Sequence, residues 1–160
     1  MDITIIIFLL GGLFLGWSLG ANDAANVFGT AVGTRMVRFK TAAIVCSIFV
    51  ILGAIISGAG TTETLGKLGA INALPGAFAA CVAAGLSVYL MTKAGLPVST
   101  TQAIVGAIVG WNLYTGSATN IKVLITILGT WVLCPVIAGL IAMGFFTLTK
   151  NFILKRKIHI

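Results

Sequence analysis

Acidic side chains are almost missing from this sequence. Asp and Glu total 3 among 160 residues, and charged residues of both signs make up 8%. A soluble domain carries roughly 25% charged residues, so a water-solvated globule is excluded. Histidine is limited to His159 in the tail. No His, Cys or second carboxylate joins a catalytic constellation in the apolar segments, and an enzyme is not expected. The cysteines Cys46, Cys81 and Cys134 fall one per apolar segment, with no CxxC or Cys/His spacing. That excludes a zinc ribbon or disulfide framework and leaves them as small residues of a membrane core. A basic region ahead of the first apolar run is also lacking. The run opens Met1–Asp2 and outlasts a signal core, so no cleavable signal peptide is expected.

What is there is apolar: 59% hydrophobic residues and a mean hydropathy of +1.14. Apolar segments fall at about residues 3–34, 41–60, 74–92, 97–118 and 121–149. At about 20 residues per crossing, the chain reads as an all-α polytopic membrane protein of about five crossings. The first segment would extend roughly 48 Å as one helix, against a hydrocarbon core of roughly 30 Å. It must tilt or break, and the polar residues from Gly20 to Asp23 mark the expected break. Pro135 predicts a kink in the fifth segment.

The net charge of +7 follows from topology rather than from a nucleic-acid partner. Arg35, Arg38 and Lys40 follow the first segment, Lys67 the second, Lys93 the third and Lys122 the fourth. Lys150, Lys155, Arg156 and Lys157 follow the fifth. If all five segments cross, eight basic residues gather on one side and two on the other. The positive-inside rule then places the amino terminus outside and the carboxyl tail in the cytoplasm. A re-entrant fourth segment alone would collapse that bias. An odd number of crossings makes a following copy insert upside down, the design of inverted-repeat transporters. The compact form suggests a prokaryotic plasma membrane.

Two polar clusters interrupt the apolar segments. In "GANDAANVFGT", Asn22, Asp23 and Asn26 are spaced to share one helix face. Their oxygens are hard donors suited to small hard cations, and a membrane Asp without compensation costs about 2.5–3.5 kcal/mol. The plain alternative is a helix cap. In "PVSTTQ", Ser99 can cap a helix whose first free amides make an anion-binding end; the plain alternative is hydroxyls bonded back to helix carbonyls. Glu63 and Lys67 form an i,i+4 pair expected in a solvated loop or short helix. Trp17, Trp111, Tyr114 and Trp131 read as interfacial anchors or packing residues. The Gly12, Gly16, Gly20 stripe and the Gly106, Gly110 pair suggest close helix contact.

"GANDAANVFGTAVGTR" and "GLPVSTTQAIVGAIVG" together resemble the inorganic phosphate transporter (PiT) family of secondary phosphate permeases. Gly20, Ala21, Asn22, Asp23, Asn26, Gly29 and Thr30 fit its GANDxxNxxGT block, and Pro97, Ser99, Thr100 and Thr101 its P-x-S-T-T-H block. The likeness covers essentially the whole chain but one of the family's two repeats. It implies ion-coupled phosphate uptake, driven by Na+ or H+, with no further cofactor, and a second inverted half or an oligomer partner. It also implies a midplane site in which Asn22, Asp23, Asn26 and Thr30 hold the cation, Na+ resting on Asp23 and Asn26. Ser99, Thr100, Thr101 and Gln102 then meet the phosphate. Gln102 stands where the family commonly has His, which puts proton coupling at that position in doubt. Sulfate is the runner-up substrate, and a passive channel or assembly module is the alternative class.

Overall fold

The computed structural model describes residues 3–69 and 74–152. It contains five helices: α1 Ile3–Gly33, α2 Phe39–Leu68, α3 Leu74–Lys93, α4 Thr100–Thr115 and α5 Ile121–Phe152. No strand occurs among the described residues, as a lipid environment demands of a chain that satisfies its backbone within each segment. Four helices, α1, α2, α3 and α5, are long and apolar enough to cross a membrane. This is a multi-pass helical membrane protein. The fourth segment is shorter than the rest: α4 has 16 residues, about 24 Å of helix.

Three expectations are corrected. The chain does not break between Gly20 and Asp23, because α1 runs unbroken for 31 residues, about 46 Å. Asn22 and Asp23 bond to other helices through their side chains, so the backbone keeps its own helical bonds. Likewise, the glycine stripe at Gly12, Gly16 and Gly20 is not a contact seam: among the described residues, nothing lies within 4 Å of a Cβ built there, nor at Gly106 and Gly110. The connection beyond residue 60 also differs, since α2 runs on to Leu68. There the Thr62 and Thr64 hydroxyls donate to the Gly58 and Gly60 carbonyls, and Lys67 pairs with Glu63 one turn away.

The chain divides into two units, residues 1–120 and 121–160. In the second, α5 continues through Pro135 as a single helix. In the first, α1 and α3 run parallel. Phe8 meets Phe78 edge-on at 5.7 Å between ring centroids, and Trp17 meets Tyr89, also at 5.7 Å. Asn22 reaches Thr92 further along. The close approach uses Gly11 and Gly85 instead of the expected stripe. A Cβ on Gly85 would stand 2.8 Å from Phe14 Cδ1, and one on Gly11 2.8 Å from Phe78 Cδ2. On α3 the buried face is the i,i+4 row Ala80, Ala84 and Val88.

α4 runs back antiparallel to α3. Thr100 at its start meets Asp23, and Trp111 near its end packs on Gly76, where a Cβ would lie 2.9 Å from Nε1. The connecting residues 94–99 explain themselves chemically. Gly95 adopts the left-handed conformation (φ 73°), and the amides of Gly95 and Leu96 bond to the carbonyls of Thr92 and Met91, a helix-ending Schellman arrangement. Pro97 then bars helix and holds Leu96 extended. Ser99 starts the next helix, its Oγ accepting from the Gln102 amide at 3.3 Å. The discontinuity expected within α1 therefore lies here, at the tip of an α3–α4 hairpin. That tip sits beside Asp23, ten residues short of the α1 terminus at Gly33, about 15 Å along the helix.

At the other end of the hairpin, Leu68 is fully buried and its carbonyl accepts from the Asn120 amide at 3.0 Å. Asn112, also fully buried, donates from Nδ2 to Thr119 Oγ1 at 3.0 Å. Gly69 passes so close that a Cβ would fall within 3 Å of three Asn112 side-chain atoms.

Candidate functional site

The hairpin tip brings the two sequence clusters together. Thr100 Oγ1 donates to Asp23 Oδ2 at 3.0 Å across 77 positions of sequence. Thr100 is 7% exposed and Asp23 is half-buried, so the contact is largely shielded. One residue away, Asn22 is 4% exposed. Its Nδ2 donates to Thr92 Oγ1 at 2.8 Å, and Thr92 in turn donates to the Val88 carbonyl at 2.8 Å. Asn26 Nδ2 donates to Asn22 Oδ1 at 3.3 Å. These bonds tie Asn22 to α3, Asp23 to α4 and Asn26 to Asn22, within two turns of α1.

Two helix ends of opposite polarity meet there. α3 terminates at Lys93, beside Thr92, and presents the negative, carbonyl end of its dipole. α4 begins at Thr100 and presents the positive, amide end. Ser99 takes the Gln102 amide, which leaves the Thr100 and Thr101 amides as helix-start donors with no intrahelical acceptor. A carboxylate beside carbonyls suits a cation, and free amides with hydroxyls at a helix start suit an oxyanion. Among the described residues, no three His, Cys, Asp or Glu side chains gather to bind a metal. The oxygen-only donor set fits an alkali cation better than a transition metal.

The sequence-derived residues are placed unevenly. Asn22, Asp23, Asn26, Ser99 and Thr100 converge through the bonds above. Thr101 and Gln102 sit on the exposed first turn of α4, where the Gln102 amide donates to Ser99 Oγ. Thr30 is exposed, eight residues beyond Asn22 on α1, about 12 Å along the axis; its carbonyl accepts from Thr34. The structure does not bring Thr30 into the hydrogen-bonded cluster.

Two site residues escaped the sequence reading. Thr92 is the anchor of Asn22, and its signal was available: it continues the Ala80, Ala84, Val88 row by four more residues. Lys93, read only as a topology marker, ends α3 at the same tip. Ser18, one turn before Asn22, is 1% exposed and its Oγ has no partner among the described residues. Ser47 in α2 and Ser87 in α3 behave differently, bonding back to the Ala43 and Ala83 carbonyls.

A family model for phosphate transporters matches residues 19–160, which contain both halves of this site. The chain belongs to the phosphate transporter family. Among its relatives, a Thermococcus kodakarensis protein named as a phosphate permease is 34% identical over 98% of this chain and 41% of its own length. A Plasmodium falciparum sodium-dependent phosphate transporter is 34% identical over 90% of this chain and 23% of its own length. The solved structure of a sodium-dependent phosphate transporter superposes with a TM-score of 0.83 at 33% identity. That match covers 98% of this chain and 41% of the other. The chain, itself matched along nearly its whole length, thus spans about two fifths of the Thermococcus relative and of the solved structure.

Proposed function

We propose that this chain contributes one repeat of a secondary transporter that moves inorganic phosphate across a plasma membrane, coupled to Na+. The observation that carries the reading is the Thr100–Asp23 hydrogen bond, which joins a cation-type donor set to an anion-type helix start. Asp23 and Asn26, with Asn22 positioned by Thr92, hold the cation. The Thr100 and Thr101 amides and the Ser99, Thr100 and Thr101 hydroxyls meet the phosphate, with Gln102 and Lys93 at the rim. The cation bridges what would otherwise be an anion against a carboxylate. Family membership and the sodium-dependent relatives support the substrate and the ion. H+ is the alternative coupling ion, and Gln102 in place of a titratable group speaks against it.

Phosphate is favoured over sulfate by the same contact. Protonated phosphate can donate a hydrogen bond to Asp23 Oδ1, the carboxylate oxygen that Thr100 does not occupy, whereas sulfate brings only lone pairs against it. The length comparison supports a second, inverted half, in the same polypeptide or a partner, to complete the midplane site.

The hairpin also supports a topology. If α3 and α4 enter and leave by one face, the chain makes three full crossings, through α1, α2 and α5. Arg35, Arg38, Lys40, Lys150, Lys155, Arg156 and Lys157 then share one side, against Lys67 and Lys122 on the other. The seven-to-two bias keeps the amino terminus outside and the carboxyl tail in the cytoplasm. Folding back α4 alone would reverse the tail; folding back both helices preserves it.

The test is uptake of radiolabelled phosphate into proteoliposomes that hold the native assembly purified through a tag on this chain. Saturable uptake stimulated by an inward Na+ gradient and resistant to excess sulfate is expected. Uptake that stays linear in phosphate would favour a passive channel, and competition by sulfate would favour the sulfate permease.

A further inference from the structure

We infer that the single proton of the Thr100 hydroxyl is the coupling element of this site: it serves either Asp23 or the anion, and a cation at Asp23 decides which. The inference rests on the transport reading above and adds how the two solutes are tied to each other.

The argument is one of donor stoichiometry. A threonine hydroxyl has one hydrogen to donate and two lone pairs. A carboxylate accepts only, and phosphate oxygens facing a hydroxyl also need that hydrogen. Here the hydrogen is committed, since Thr100 Oγ1 donates to Asp23 Oδ2 at 3.0 Å. To donate to phosphate, Thr100 must turn away from Asp23. That takes from the half-buried Asp23 carboxylate its hydrogen bond with Thr100, a charge-assisted one that is costly to lose, and it sets an anion beside that carboxylate.

Among the described residues, Thr100 is the side chain that donates to Asp23. The Asn22 amide points to Thr92 and the Asn26 amide to Asn22, one hydrogen each, and Ser99 Oγ lies on the Gln102 amide. Lys93 closes α3 at the tip but its side chain is exposed to the surroundings. Na+ on Asp23 replaces the hydrogen bond with a direct charge interaction, frees the hydroxyl and cancels the repulsion. Phosphate then binds more tightly when Na+ is present, and by linkage Na+ binds more tightly when phosphate is present. A hydroxyl shared in this way suppresses slippage of either solute alone.

The experiment is equilibrium binding of radiolabelled phosphate to the native assembly in lipid nanodiscs, at one pH, in Na+ and in choline. In the unmodified protein Na+ is expected to tighten phosphate binding by about tenfold or more. Asp23→Asn removes the charge that needs compensation, and its ratio is expected near one. Thr100→Val removes the shared hydrogen but leaves the Asp23 charge, giving weaker phosphate binding in Na+ and a ratio below that of the unmodified protein. Thr100→Ser restores the hydrogen and the unmodified ratio, which a purely packing role for the threonine methyl would not do. If Asp23→Asn does not yield a monodisperse protein, the Thr100→Val and Thr100→Ser pair decides alone. An unmodified ratio in Thr100→Val overturns the inference. So does phosphate binding that ignores Na+ in the unmodified protein, and that result leaves the phosphate site standing. No phosphate binding in either buffer overturns the transport reading itself, and this inference with it.

Discussion

Replacing Gly85 with alanine tests the α1–α3 seam that holds Asn22 against Thr92. In an exposed helix interior, Gly→Ala stabilises by about 0.8–1.0 kcal/mol through backbone entropy. At Gly85 a Cβ would stand 2.8 and 2.9 Å from Phe14 Cδ1 and Cε1, and 3.3 Å from the Leu15 Cα. The ring contacts can be relieved by turning Phe14, but Phe14 stacks on Trp17 at 6.2 Å and Trp17 packs on Tyr89. Disturbing such a pair forfeits about 0.5–1.5 kcal/mol. The Leu15 contact is with backbone, so α1 itself must yield by a few tenths of an ångström. Overpacking of this kind costs about 1–3 kcal/mol. Subtracting the propensity gain leaves Gly85→Ala destabilised by about 1 kcal/mol, a loss of about 2–4 °C in melting temperature. Gly16→Ala, with nothing within 4 Å, is the control and is expected to hold or gain. The assay is thermal unfolding of purified protein in detergent by fluorescence-detected gel filtration. Gly85→Ala melting at or above Gly16→Ala would refute the packing assignment.

Other consequences follow from particular contacts. Gly69→Ala is expected to destabilise by about 1–3 kcal/mol through overpacking on Asn112, and Asn112→Ala combined with it should recover part of the loss; the same melting assay reads both. Ser99→Ala removes the α4 cap and should cost about 1 kcal/mol, seen as faster amide hydrogen exchange at Gln102 without a matching change in α2. Thr92→Val leaves the buried Asn22 amide unpaired and should cost about 1–3 kcal/mol. Thr92→Ser keeps a hydroxyl for that amide and should be near neutral in the same melting comparison. For topology, cysteines at Arg38→Cys and Lys122→Cys, in a background freed of Cys46, Cys81 and Cys134, should react with impermeant maleimide from opposite sides. Labelling of both from one side would end the proposed crossing pattern.

Much of the site was legible before any fold was known. The GLPVST stretch encodes its own geometry: a left-handed glycine, a proline that bars helix and a serine cap. Asn22, Asp23 and Asn26 declared one polar face by their spacing. Thr92 was harder to see, because a lone threonine near a helix end is ordinary until the α3 row is known to face α1. The glycine stripe misled for a related reason. A repeat every four residues defines a face, but it does not say whether a neighbour lies on it, and the tight contacts fell on Gly11, Gly85, Gly76 and Gly69 instead.

Local chemistry alone determined that this chain is helical and lipid-facing, where α3 ends and α4 begins, and which side chains carry charge or hydrogen-bonding power. Those properties belong to single segments, because hydropathy, proline and glycine act on the backbone within a few residues. Tertiary structure decided that α1 stays whole, that α3 and α4 form a hairpin, and that Thr100 meets Asp23 across 77 positions. Such pairings depend on which faces of distant helices fit together, and interhelical fit is a property of surfaces in three dimensions.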